Sequence, residues 1–269
     1  MNSTFLAIFA ATCYLSGGIA IALRLFAGSG TKQLPRALGI GLGLAGVALH
    51  TVLLSQIILT PEGLNLAFFH AASLVTWIIA LVLMLSALTK PIENLGIVLL
   101  PFASLAIALD LVYPSSHLLP QADTLGMRLH ILLSLLAYSL FTLAAVQAGL
   151  LAVQNRHLHN RHPGGFVRAL PPLQTMEALL FEMIGLGFAL LSLSLITGFM
   201  FLENMFIQHL AHKTLLSIVS WVVFGTLLWG RFRFGWRGRI AIRWTLAGFV
   251  VLMLAYFGSK FVIELVLVG

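Results

Sequence analysis

The chain has 269 residues, of which 60% are hydrophobic and 9% charged, and its formal net charge is +7. A mean hydropathy of +1.04 puts the protein in the bilayer rather than in water. The lone cysteine, Cys13, excludes an internal disulfide or a C-x-x-C redox pair, and with them thiol–disulfide chemistry by this chain alone.

About 20 apolar residues span a bilayer. Eight such segments are predicted, at approximately 4–26, 37–59, 68–88, 94–113, 128–153, 178–202, 213–230 and 242–267. They are apolar all round, whereas the strands of a membrane barrel alternate apolar and polar residues, so they read as helices. The predicted fold is an all-α polytopic transmembrane bundle of about eight helices, with 1–269 as a single domain. No charge precedes the first segment and Arg24 follows it. A cleaved signal peptide has the reverse order, so this helix is expected to stay.

Gly39, Gly41, Gly43 and Gly46 stripe the second helix, a pattern that lets neighbouring helices approach closely. Thr60-Pro61-Glu62-Gly63 reads as a turn, and Tyr113-Pro114-Ser115-Ser116 opens a loop that Pro120 continues. The longest hydrophilic break runs from Gln154 to about Thr175, where His162-Pro163-Gly164-Gly165 and Pro171-Pro172 interrupt the chain. No internal repeat is evident, so an inverted-repeat transporter has little support.

Charge placement predicts topology. Arg24, Lys32 and Arg36 lie between the first two helices, Lys90 between the third and fourth, and Arg156, Arg161 and Arg168 after the fifth. Arg231, Arg233, Arg237, Arg239 and Arg243 lie between the last two, which leaves only Arg128, Lys213 and Lys260 for the opposite side. Twelve of the fifteen basic residues share one face, and the positive-inside rule makes that face cytoplasmic. Both termini are then expected outside. The basic loops are read as anchors that meet anionic lipid, not as a nucleic-acid surface.

An ionisable side chain in hydrocarbon costs roughly 2.5–3.5 kcal/mol or more, so the histidines in these segments need an explanation. On the predicted topology His50 lies roughly 13–14 Å below the outer end of its helix. His70 and His130 open the third and fifth helices on the outer side, and His212, with His209 one turn before it, opens the seventh. For His50, a core histidine bonded to a neighbouring helix and a ligand stay equally open. His70 reads first as an interfacial polar residue. His130 and His212 stand at outer helix ends, where ligands could approach from two helices. His209 and His212 have an i, i+3 spacing that could hold a small metal ion, but no third ligand is evident. Arg156, His157, His159, Arg161 and His162 read as a solvated loop.

Carboxylates are few. Asp110, Glu203 and Glu264 fall near outer helix ends, Glu177 and Glu182 at the start of the sixth helix, and interfacial pairing with Arg or Lys is expected for them. The chain has no G-x-S-x-G, P-loop, H-E-x-x-H or G-x-G-x-x-G before a helix. No acid–base or nucleophilic active site is read here, and the protein is expected not to be an enzyme.

The run Arg128-Leu-His130-Ile-Leu-Leu-Ser134-Leu-Leu-Ala-Tyr138 resembles the histidine-containing helix of the cytochrome c assembly family, which takes in CcsA-type, HemX-like and YpjD-like membrane proteins. Lys213-Thr214 through Trp221, Leu228-Trp229-Gly230-Arg231 and Gly235-Trp236-Arg237-Gly238-Arg239 resemble the family's last two helices, as do Leu246-Ala-Gly248-Phe249 and Tyr256-Phe257-Gly258. An earlier match is Leu49-His50-Thr51, followed by Pro61, Asn65 and Trp77. The resemblance covers nearly the whole chain and is closest to the YpjD-like and HemX-like branch.

The chain also departs from the family. The tryptophan-rich W-G-x-x-W-x-W-D motif is absent, and His209-Leu-Ala-His212-Lys213-Thr214 stands where its end falls. Trp229 occupies the place of a histidine that the CcsA branch carries before the arginine ending the seventh helix, and a later outer-loop histidine has no counterpart. The resemblance therefore implies the family fold and contact with haem more than transfer of haem to apocytochrome c.

In sum of chemistry, the resemblance implies an inner-membrane protein that binds or handles b-type haem near the outer face. The implied cofactor-binding residues are His130, His212, His50 and His70, with His130 and His212 as axial ligands of the iron. Phe69, Trp77, Tyr138 and Phe141 are candidate walls for the porphyrin. Expected partners are the lipid bilayer and another membrane protein of cytochrome assembly, with no nucleic acid. The alternative is a non-haem accessory or regulatory subunit of a partner membrane protein; a small-solute transporter ranks third for want of buried charge pairs and interrupted helices.

Overall fold

In the computed structural model, residues 3–27, 34–60, 63–65, 67–113, 118–119, 125–159, 170–201 and 208–258 are described. Their helices are α1 (Ser3–Phe26), α2 (Arg36–Ile57), α3 (Phe68–Thr89), α4 (Gly96–Val112), α5 (Leu125–His159), α6 (Leu173–Phe201), α7 (Gln208–Phe234) and α8 (Arg239–Met253). A 3₁₀ turn at Glu93–Leu95 leads into α4, and a π-helical turn at Leu254–Gly258 follows α8. All eight are long and apolar enough to cross a membrane, as the hydropathy predicts. The protein is a multi-pass, all-helical membrane protein.

The helices fall into two compact units. One holds Met1–Ala122 with Arg161–Pro171, and the other holds Asp123–Asn160 with Pro172–Gly269.

In the first unit α1 packs on α2 and α4, and α3 on α2 and α4. The glycine stripe of α2 makes this possible. A Cβ on Gly39 would sit 2.6 Å from Ile21 Cγ1 and one on Gly46 2.7 Å from the Tyr14 ring, while one on Gly43 would collide with Met84. Gly41 faces open space, so three of the four predicted packing glycines are used. Arg36 ties one end together: Nε and Nη2 donate to the Glu93 carboxylate at 2.9 and 3.0 Å, and Nη2 also reaches the Lys90 carbonyl at 2.9 Å. At the other end, the connections fold into a small antiparallel sheet of β1 (Leu59–Thr60), β2 (Gly63–Asn65) and β3 (Leu118–Leu119). Its register pairs Leu59 with Leu64 and Leu64 with Leu119. Thr60 pairs with Gly63 on either side of the predicted turn, whose central residues Pro61 and Glu62 lie outside the described residues.

In the second unit α5 runs along α6 and also meets α8, while α7 packs on α6 and α8. Phe141 of α5 stacks on Phe224 of α7 with centroids 3.9 Å apart, and Ser220 of α7 donates to the Gly248 carbonyl of α8 at 3.0 Å.

Helix α6 starts earlier than expected, at Leu173, and α7 is longer at both ends, from Gln208 to Phe234; two further boundaries differ in kind. Helix α5 runs 35 residues to His159, so Arg156, His157 and His159 are helical and not in the predicted solvated loop. Polarity does not end a helix once it leaves the bilayer; Pro and Gly do, and the first of these after Gln154 is Pro163. At 1.5 Å per residue α5 is about 52 Å long, well beyond a hydrocarbon core of about 30 Å. The last segment, expected to be one continuous helix, changes to π-helical pitch at Leu254. Residues 259–269, with Lys260 and Glu264, lie outside the described residues.

Candidate functional site

His50 is fully buried. Its Nε2 lies 2.9 Å from Ser73 Oγ on α3 and its Nδ1 3.4 Å from the Tyr14 hydroxyl on α1. Both ring nitrogens have hydroxyl partners, so a metal could bind only by displacing one of them. One residue on, Thr51 Oγ1 accepts from Trp77 Nε1 at 2.9 Å, and Trp77 packs on the buried pair Leu54 and Ile58. The Leu49-His50-Thr51 and Trp77 match is therefore a clasp between α2 and α3. Of the two readings open for His50, the geometry is that of the bonded core histidine.

His70 stands in the first turn of α3, also buried. Its Nδ1 bonds the carboxylate of Asp110 near the end of α4, whose side chain is only 3% exposed. This corrects the expectation that Asp110 pairs with an arginine or lysine. An imidazole is the better partner here because it carries one donor without a permanent charge to desolvate. The Nε2 of His70 has no partner among the described residues, and Asp110 Oδ2 is buried and likewise without one there. Phe69, the adjacent residue, stacks on Tyr113 with centroids 5.3 Å apart.

His130, half-buried in the second turn of α5, is fixed by α6. Its Nδ1 lies 2.9 Å from the backbone carbonyl of Ser194 and 3.4 Å from Thr197 Oγ1. A carbonyl can only accept, so Nδ1 carries the proton, and in the neutral ring Nε2 keeps a bare lone pair. Ser134, one turn further along α5, bonds Ser194 Oγ at 2.7 Å and locks the same pair of helices. Tyr138 continues this i, i+4, i+8 face and sits 5.9 Å from Phe249 and 6.1 Å from Tyr256, centroid to centroid. Phe141, also expected to wall a porphyrin, is instead fully buried in the stack on Phe224.

His209 and His212 fall in the first turns of α7, with the i, i+3 spacing expected; their side chains lie outside the described residues, as do His117 and His162. Among the described residues no group of three His, Cys, Asp or Glu could hold a bare metal ion.

Reading by residue type found the three histidines but missed what orients two of them. Asp110 carried a usable signal, a carboxylate inside an apolar helix. Ser194 carried none: it acts through its carbonyl, which every residue has, from 64 positions away.

Comparison with known proteins agrees with the sequence resemblance. Residues 42–267 match the family described as Cytochrome C assembly protein. The chain is 37% identical over 223 residues to Inner membrane protein YpjD of Escherichia coli (strain K12), covering 81% of this chain and 83% of that protein. It is 27% identical over 133 residues to Protein HemX of Brevibacillus brevis, 48% of each chain. It is 22% identical over 267 residues to the cytochrome c biogenesis protein CcsA of Trieres chinensis, covering 86% and 85%. No solved structure matches.

Proposed function

The chain belongs to the cytochrome c assembly protein family, and from that premise we propose that this multi-pass inner-membrane protein binds or handles b-type haem near the outer face of the membrane. We assign it no catalytic step of its own. The observation that carries the reading is the set of His130: Nδ1–H held by the Ser194 carbonyl at 2.9 Å, and Nε2 without a partner among the described residues. Iron-ligating imidazoles share this arrangement, in which an acceptor on one ring nitrogen fixes the tautomer and turns the other toward the metal. Haem suits such a site better than a bare ion. A porphyrin brings four of the iron's ligands itself, whereas the described residues offer no cluster of three. Bound haem supplies a redox-active iron whose remaining positions the protein's imidazoles can take.

His212, in α7 of the same unit, is the second residue that would hold the haem iron in this reading, and Tyr138 would contribute to the wall. In the other unit His70 shows the same pattern as His130, with the Asp110 carboxylate as the acceptor.

The test is the absorption spectrum of protein purified in mild detergent from haem-replete cells. The reduced-minus-oxidised difference should be that of bis-imidazole iron. His130→Ala should remove most of the haem, and His212→Ala should shift the remainder to five-coordinate, high-spin iron. A preparation that is haem-free and cannot be reconstituted with haemin refutes the proposal and favours the accessory-subunit reading.

A further inference from the structure

The turn between α7 and α8 is built more tightly than a connection needs to be. Four residues, 235–238, join the two spans, and both of its glycines, Gly235 and Gly238, have positive φ, at 67° and 58°. The Trp236 N–H returns to the Gly230 carbonyl at 3.2 Å. Arg231 donates to the Trp236 carbonyl at 3.2 Å while its guanidinium lies 4.6 Å from the Phe181 ring centroid. Glu177 of α6 accepts the Gly238 N–H at 2.7 Å. Phe234, Trp236 and Trp244 form a row of rings, with centroids 6.3 and 5.6 Å apart.

This scaffold presents two kinds of surface side by side. Arg233, Arg237, Arg239 and Arg243 are exposed, and none has a hydrogen bond or ion pair with a described residue. Among them stand Trp229, Phe232 and Phe234, at 60%, 90% and 62% exposure. The two spans that meet here, Lys213–Phe234 and Arg239–Tyr256, adjoin the turn, and the end of an apolar span is where arginines reach headgroups and aromatic rings reach the upper acyl chains.

We propose that the α7–α8 turn is a binding site for an anionic phospholipid, with Arg233, Arg237 and Arg239 on the phosphate and Phe232 and Trp229 against the upper acyl chains. Guanidinium is the cation best shaped for bidentate contact with phosphate. An RNA or an acidic peptide could match the arginines but not the hydrocarbon-facing rings next to them. A phospholipid carries an anion and a hydrocarbon chain side by side in one molecule. Five arginines fall within thirteen residues, and the hydrogen bonds of the turn fix the backbone that carries them.

The experiment uses the full chain in phosphatidylcholine vesicles containing a trace of spin-labelled phosphatidylglycerol. It compares the immobilised fraction with that of spin-labelled phosphatidylcholine. The wild type should prefer phosphatidylglycerol at least tenfold, and the double variant Arg233→Gln/Arg237→Gln should lose about tenfold of that preference. A control, Arg24→Gln/Arg156→Gln, removes the same charge elsewhere and should leave it intact. An unchanged preference in the turn variant overturns the proposal. An equal fall in the control overturns it too, since net charge would then suffice. Loss of the preference on adding inorganic phosphate identifies free phosphate as the ligand, and displacement by an RNA oligonucleotide identifies a nucleic-acid surface; either result overturns the lipid assignment.

Discussion

Replacing His50 with alanine separates a structural histidine from an iron ligand. The side chain is fully buried and bonds Ser73 at 2.9 Å and Tyr14 at 3.4 Å. Interhelical hydrogen bonds in membranes average about 0.6 kcal/mol and reach about 1.7. The short Ser73 bond belongs toward the upper value and the longer Tyr14 contact toward the lower. Removing a fully enclosed ring adds a cavity term, on the order of 2–3 kcal/mol where the surroundings do not collapse. The sum is about 3–5 kcal/mol, a large share of the stability of a typical domain. Denaturation of the purified protein in mixed detergent micelles measures it. The milder Ser73→Ala should cost about 1–1.5 kcal/mol, and the two changes should be strongly non-additive because they remove one bond. Haem content per folded molecule should not change in either variant. If His50→Ala removes low-spin haem while stability stays at the wild-type value, the reasoning fails, and the site belongs mid-membrane at His50.

The other predictions concern sidedness, the His70 pair and the backbone. Reporter fusions after Lys32, Arg161 and Arg237 should report cytoplasm, and fusions after Gly63, Ser116 and Gly269 the outside; the reverse pattern removes the outward-facing haem site. Asp110→Asn keeps an acceptor for His70 but loses the charge, so it should cost about 1 kcal/mol, against about 2–3 for Asp110→Ala, in the same denaturation assay. Equal costs would show that the carboxylate adds nothing beyond shape. Gly238→Ala should destabilise by roughly 1–3 kcal/mol because its φ of 58° and ψ of −127° suit only glycine. Gly41→Ala, which meets nothing within 4 Å, should stabilise α2 by up to about 1 kcal/mol; thermal melts that rank the two alike would refute this.

The eight spans were legible in the sequence because hydrocarbon imposes a local rule: every backbone polar group must be satisfied within its own segment, over about 20 residues. A run such as 68–88 announces itself without reference to any other part of the chain. The family signature was legible for a similar reason, since Arg128 to Tyr138 and Lys213 to Gly238 are contiguous runs. Charge alone predicts the stop of α5 too early, because a helix keeps its backbone hydrogen bonds after it passes from hydrocarbon into water. What each histidine can do was not legible at all. His50, His70 and His130 look alike in sequence, each a lone imidazole in an apolar helix. Their chemistry differs because Ser73 and Tyr14 close both nitrogens of the first, while Asp110 and the Ser194 carbonyl engage Nδ1 of the other two. Those partners come from 23 to 64 residues away, and which helices become neighbours is decided by packing, such as the glycine face of α2 against Tyr14 and Ile21. A hydrogen bond has direction and a reach of about 3 Å, so the tertiary structure alone determines which imidazole keeps an open nitrogen.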